Sequence, residues 1–370
     1  MRLPAILRRP VDVDVAVVGS GLPALAAALE LSRRGARVAV LGRAPAEERP
    51  RGLGLALLGP GQPYARVART IGRAEARLVW AAGCENHLRL RALLDEARRD
   101  CGYAPRGSFL LASVRSEAEE LAESEDMLRD DGFPGEFLDH YMLETRFDLP
   151  GFPGAYWAAE DAEVDASLLL GVLGEWARAS GVAFSIGRVR AVVADASGVS
   201  IETDEGPVSA GAAVVATDGE VAELVPELLP ALRPAAASRL RTRLLAGAVL
   251  PSAVRTADGR VAWQAGPGGI LLSGVGRAEV ETEGSLEAFA TRIPVEAAGA
   301  ARWKEGGEVS ADGLPLVGRL PGRPLAVACG FGALSLGLAF AAARWTADAV
   351  LSGADPTPDP LRATRPPALV

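Results

Sequence analysis

The sequence predicts an α/β protein in which a Rossmann-like domain carries an inserted α+β domain of antiparallel strands. Three observations lead there. Residues 13–18 are an apolar run ending in glycine, residues 23–34 carry alanine and leucine at helical spacing, and residues 36–41 return to a strand pattern, the order of a βαβ unit. Residues 181–219, and again 239–293, break into short β-runs separated by turn residues. From Asp312 the chain reads turn, strand and long helix to Ser352, a second pattern suited to the first sheet. At 370 residues the chain exceeds the usual size of one hydrophobic core. The first domain is therefore expected from residues 1–80, 150–225 and 308–370, and the second from 81–149 and 226–307.

Between these landmarks, residues 74–99 and the acidic stretch 116–131 read as helices outside the βαβ core. Residues 165–180 read as an amphipathic helix feeding a β-meander. The uncharged stretch 325–343 has the length of a short membrane span. Its glycines at 330, 332 and 337 make a strand–turn–helix the better reading, so no membrane partner is expected. The Pro-rich end, ADPTPDPLRATRPP, reads as an extended tail.

Composition narrows the function classes. Apolar residues make up 49% and charged residues 23%, as in a globular protein. The net charge is −8 with scattered basic residues, which lacks the electrostatic footprint of a nucleic-acid binder and favours a small-molecule ligand. Cys84, Cys101 and Cys329 form no CxxC pair, arguing against a disulfide framework and a structural zinc. His87 and His140, the only histidines, are too far apart in sequence to suggest a metal site. The N-terminus has no small-residue cleavage site after an apolar run, so a reducing cytoplasm is the expected location.

The strongest local motif is Gly19-Ser20-Gly21-Leu22-Pro23-Ala24, directly after one strand and opening a helix. Gly19 allows the tight turn, Gly21 lets backbone approach a phosphate, and Ala24 permits close helix–sheet packing. Free N–H groups and the helix dipole at that N-terminus suit a pyrophosphate. The second strand should end in an acid that holds ribose hydroxyls, yet it ends Leu41-Gly42-Arg43. Glycine followed by arginine suits a 2′-phosphate, so Arg43 keeps an NADP reading open on these residues alone.

The C-terminal third carries a more specific signal. SADGLPLVG at 310–318 and LAVACGFGALSLG at 325–337, followed by a helix, resemble the closing segment of FAD-dependent oxidoreductases of the D-amino-acid-oxidase-like superfamily. Residues 52–96 and 107–133 are similar to the branch that includes gamma-glutamylputrescine oxidase and related amine oxidases. The resemblance implies an FAD-binding Rossmann-like domain of the glutathione-reductase type with an inserted α+β substrate domain, and non-covalent FAD. It puts Gly313, Leu314, Gly330, Phe331, Gly332 and Leu334 around the flavin, Val189 at the adenine, and residues 216–219, with Thr217, beneath the cofactor. Two departures stand out. Relatives usually carry an acid at the place of Gly42, and a polar glycine loop where this chain has Arg51-Gly52-Leu53-Gly54-Leu55-Ala56. They fit the alternative of a homologue that keeps the fold without flavin redox chemistry.

The family reaction implied is hydride removal from a carbon bearing an amine, giving an imine that water hydrolyses. The substrate would be an amine or amino-acid-like molecule. Amino-acid oxidases of the superfamily place an arginine before the Asp-Gly-x-Pro segment to pair with a substrate carboxylate. Arg302 and Lys304 lie there, though each reads more readily as a solvated surface charge, and Trp303 and Trp263 are candidate cavity walls, though packing is the commoner role of a tryptophan. Glu305 falls near the position where the sarcosine-oxidase branch carries a flavin-linking cysteine, which excludes covalent attachment at that site.

Overall fold

The computed structural model describes residues 12–42, 53–217, 219–246, 253–266, 269–296 and 301–366. Strand β1 (Asp12–Val18), helix α1 (Leu22–Arg33) and strand β2 (Val38–Gly42) form the expected βαβ unit. β1 is buried on both faces: Val15 and Val17 join the core under the helices, while Val13, Ala16 and Val18 join a second core on the opposite side. Such two-sided burial is what a parallel strand requires.

The first sheet runs in the order Leu316–Arg319, Leu325–Cys329, Gly206–Val215, β1, β2, Ala183–Ile186. Along this path the strands are parallel except Leu316–Arg319, which turns back on Leu325–Cys329; Val189–Asp195 and Gly198–Thr203 join the same sheet antiparallel. The ten-residue strand Gly206–Val215 pairs with β1 along one edge and serves two partners along the other. Its first half pairs with Gly198–Thr203 of the predicted meander, and its end pairs with Leu325–Cys329. The long uncharged stretch is thus a strand and the start of helix Ser335–Leu351. No helix among the described residues is long and apolar enough to cross a membrane.

The second sheet runs Ala301–Ser310, Leu232–Thr242, Gly269–Gly276, Val261–Gly266, Ala253–Thr256, Ser108–Leu111, Gly154–Ala158, Gly135–Asp139. All pairs are antiparallel except Ala253–Thr256 with Ser108–Leu111. Its separate core gathers Trp263, Phe109, Phe152 and Phe289. Trp263 is fully buried there, against Phe289, and is a packing residue rather than a cavity wall.

Three features differ from the sequence expectation. Gly154–Ala158, expected with the first sheet's segments, pairs within the second. Residues Glu279–Ala290, in a region expected to be mostly strand, form a helix. Its buried residues Thr282, Leu286 and Phe289 recur at i, i+4 and i+7, a helical spacing hidden by the surrounding acids and Gly284. The tail folds back: Leu361 is fully buried and the Ala363 N–H donates to the Val317 carbonyl at 2.7 Å. Arg365 then grips Asp312 with two hydrogen bonds of 2.8 and 2.9 Å.

Candidate active site

Where β1 ends, Gly19 takes φ +122°, and a Cβ there would lie 2.4 Å from the Ala216 carbonyl oxygen. Only glycine fits that conformation beside that backbone. Gly21, the N-cap of α1, has no side-chain cap, and a Cβ on it would meet nothing nearer than 4.0 Å. The first N–H groups of α1 therefore face open space that a phosphate can enter.

That space is a cavity of about 570 Å³, lined by Gly19 to Pro23, Leu41, Gly42, residues 186–189, Ala216, Thr217, Gly219, Glu220, Ser335 and Leu336. Its volume suits a cofactor. The Thr217 hydroxyl is buried without a hydrogen-bond partner, so the wall holds an unsatisfied polar group that a ligand can meet. Ala166 and Leu170 complete the lining from helix Ala166–Ala179, whose N-terminus Asp165 caps by accepting from Ser167 and Leu168 at 2.9 and 3.0 Å. At one side Arg188 pairs with Glu220 at 3.4 Å and Glu223 at 3.2 Å.

A second cavity, of about 100 Å³, adjoins the first; the two share Leu53, Gly306 and Gly307 in their walls. Leu53 is brought there because its neighbour Gly54 packs hard on the strand pair beside it. A Cβ on Gly54 would fall 1.8 Å from the Val164 carbonyl oxygen, and its N–H donates to Gln264 Oε1 at 2.9 Å. The second cavity is charged. Arg239, 6% exposed, pairs with Glu305 at 3.0 Å and donates to the Ser273 hydroxyl. Glu305 also accepts from Trp303 Nε1 at 3.0 Å, so its charge is already met.

Arg255 is different. It lines the same cavity, yet its buried Nε has no hydrogen-bond partner. Loss of water pulls its pKa down to about 10, opposed by the charge of Asp161. Asp161 is in turn pushed up to about 6 by burial, against the hydrogen bonds it accepts from Ser108 Oγ at 2.6 Å and the Leu58 N–H at 2.8 Å. A guanidinium in this state is stabilised by any anion that reaches it.

The structure gathers Gly19, Ser20, Gly21, Leu22, Pro23, Val189 and Thr217 around the larger cavity. Ala24 is buried beneath them as a packing residue. Arg43 and Asp218, like Arg51 and Gly52, lie outside the described residues. Of the closing segment, Gly332 lines the smaller cavity, whereas Leu314, Phe331 and Leu334 are buried core residues that line neither. Gly313 and Gly330, at φ +76° and +68°, shape the turns behind the wall, Gly330 against the backbone of Ser310. The lining from this segment is instead Ser335 and Leu336.

The two carboxylate-pairing candidates are surface charges. Strand alternation turns Arg302 and Lys304 to the outer face, where they pair with Glu287 at 3.1 Å and with Glu279 and Glu283 at 3.0 Å. Neither lines either of these two cavities, and Trp303 contributes only through Glu305. Arg239 and Arg255 occupy the inner position instead; the one signal for Arg255 was a charge inside the short apolar run Ala253–Thr256. Among the described residues no cluster of His, Cys, Asp or Glu is set to hold a metal. Cys84, Cys101 and Cys329 form no disulfide.

Comparison with known proteins agrees with this geometry. A family model described as FAD dependent oxidoreductase matches residues 14–349. Glycine oxidase of Geobacillus kaustophilus (strain HTA426) is 25% identical over 219 residues, a match spanning 57% of this chain and just over half, 56%, of that protein. In fold the chain is similar to the glycine oxidase structure from Geobacillus kaustophilus, with a TM-score of 0.77 and 23% identity over 96% of this chain and 99% of that one. It is also similar to an L-amino acid deaminase from Proteus vulgaris, with a TM-score of 0.75 and 17% identity over 98% and 96% of the two chains. L-proline dehydrogenase from P. horikoshii gives a TM-score of 0.75 and 14% identity over 95% and 96%. A match over most of the chain, together with a dinucleotide cradle opening onto a charged pocket, places this protein in the family of FAD-dependent oxidoreductases.

Proposed function

We propose that the chain oxidises the C–N bond of a small amine that carries an acidic group, with FAD in the larger cavity and substrate in the smaller. The observation that carries this reading is the Arg255 side chain, whose buried Nε has no hydrogen-bond partner, in a pocket whose wall is shared with the nucleotide cavity. The names of the glycine oxidase and amino-acid deaminase relatives support the same substrate chemistry.

The residues present fit FAD. The Gly19–Pro23 turn and the N-terminus of α1 would hold the pyrophosphate, and the Thr217 hydroxyl and the 186–189 segment would face the rest of the nucleotide. Bound there, FAD supplies a hydride acceptor adjacent to the charged pocket. Arg255 would fix the acidic group and so orient the substrate's C–H bond toward the shared wall. Glu305, whose charge Arg239 already meets, adds fixed carboxylate oxygens that can accept from an amine in the same pocket. Leu53, Gly306 and Gly307 keep the junction small and largely apolar, which limits water there.

The test is an anaerobic screen of FAD-loaded protein against amines with and without a carboxylate, and against matched 2-hydroxy acids. Bleaching of the flavin by carboxylate-bearing amines supports the reading; bleaching by hydroxy acids alone sinks it. Arg255→Met should raise the concentration for half-maximal reduction about tenfold to a hundredfold, the worth of one charge-assisted hydrogen bond, and leave FAD affinity unchanged.

A further inference from the structure

Asn86 is an interior residue of helix Arg73–Ala97, fully buried, and its carboxamide is inserted into a different helix. Its Nδ2 donates to the Leu336 carbonyl at 2.8 Å, while its Oδ1 accepts from the N–H groups of Phe340 at 2.8 Å and Ala341 at 3.3 Å. Leu336 and Phe340 stand four residues apart in helix Ser335–Leu351, so the amide reaches both partners of a single helical hydrogen bond. A side chain bonded to both of them ties the first turn of that helix to the helix Arg73–Ala97.

That first turn forms part of the larger cavity, through Ser335 and Leu336. Its seat leaves no slack: a Cβ on Gly337 would lie 2.6 Å from the Leu57 carbonyl oxygen. One residue before Asn86, Glu85 makes a two-pronged ion pair with Arg344, at 2.6 and 3.1 Å, farther along the same helix. Glu85 holds the body of the helix, and Asn86 sets how far its N-terminal turn reaches into the cavity.

We infer that Asn86 is a positioning residue for the cofactor: its amide fixes the N-terminal turn of helix Ser335–Leu351 against bound FAD, and thereby sets cofactor affinity and reduction potential. The reason is electrostatic. The partial positive charge of a helix N-terminus falls off within about one turn, so a small displacement changes what it contributes to an anionic ligand, and most to the form with more negative charge. This inference rests on FAD occupying the larger cavity and is independent of which substrate is oxidised.

Asn86→Leu tests it sharply, because an apolar side chain of similar size frees the Leu336 carbonyl and the Phe340 N–H to bond each other. No buried polar group is then stranded. Wild type, Asn86→Leu and Glu85→Gln are compared by FAD titration of the apoprotein and by equilibrium measurement of the flavin potential. Asn86→Leu should weaken FAD binding roughly threefold to tenfold, and should lower the two-electron potential by up to about 30 mV, a tenfold preference lost for reduced over oxidised flavin. Glu85→Gln, which loosens the same helix pair but spares the amide, should leave the potential at the wild-type value. An affinity and potential unchanged in Asn86→Leu would overturn the inference, as would an equal shift in Glu85→Gln. Should Asn86→Leu not fold, Asn86→Ala is read by the same two measurements against the same outcomes. Failure of wild type itself to bind FAD would instead overturn the cofactor assignment.

Discussion

Asp161 shows how far the interior sets the behaviour of single residues. Its carboxyl titrates at about 6 in the folded chain against an ordinary 3.8, raised by burial. Between those values the folded state keeps a proton that the unfolded state has released. The stability this group contributes is therefore full below pH 3.8 and lost as pH rises through about 6. Urea unfolding of wild type and Asp161→Asn at pH 4.5 and 7 should show the variant's deficit shrinking as pH rises; a deficit that grows would mean an ordinary ion-paired carboxylate. Gly19 is constrained by shape rather than charge. Gly19→Ala forces a Cβ to within 2.4 Å of the Ala216 carbonyl at a positive φ, so FAD affinity should fall by at least about tenfold in titration of the variant.

At the scale of elements, two local devices set the cavities. Asp165 caps the helix whose first residues line the larger one, and Asp165→Ala should cost about 1 kcal/mol in thermal or chemical unfolding. The tail is fastened behind the wall by the Asp312–Arg365 pair, both side chains 10% exposed. Burial alone would raise the Asp312 carboxyl, but the hydrogen bonds and charge of Arg365 hold it below its usual value. Arg365→Ala leaves that carboxylate buried and unmatched and should cost about 3 kcal/mol in unfolding free energy. The βαβ unit and the helix at Ala166–Ala179 were legible in the sequence because their signals are local: hydrophobic period, glycine spacing, an acid at a helix start. The Asp312–Arg365 pair was not, because a Pro-rich tail carries no periodicity and its partner lies 53 positions earlier.

The whole molecule places a largely parallel sheet that carries the nucleotide cradle beside a largely antiparallel sheet that carries the charged pocket, with Leu53, Gly306 and Gly307 at the junction. The cradle could be read from one continuous stretch of chain. The pocket could not, since Arg239, Arg255, Ser273 and Glu305 come from four strands and meet only through sheet register. Arg302 and Lys304 illustrate the same limit: one step along a strand reverses the face, and sequence position alone did not fix which residues turn inward. The missing acid at Gly42 and the leucine at 53 leave the cradle intact, with a buried hydroxyl still unsatisfied at Thr217. Titration of the purified apoprotein with FAD, followed by flavin absorbance and fluorescence, tests that most directly. The structure predicts saturation at about one FAD per chain, with affinity sharply reduced in Gly19→Ala; a colourless chain that takes up no added FAD would contradict it.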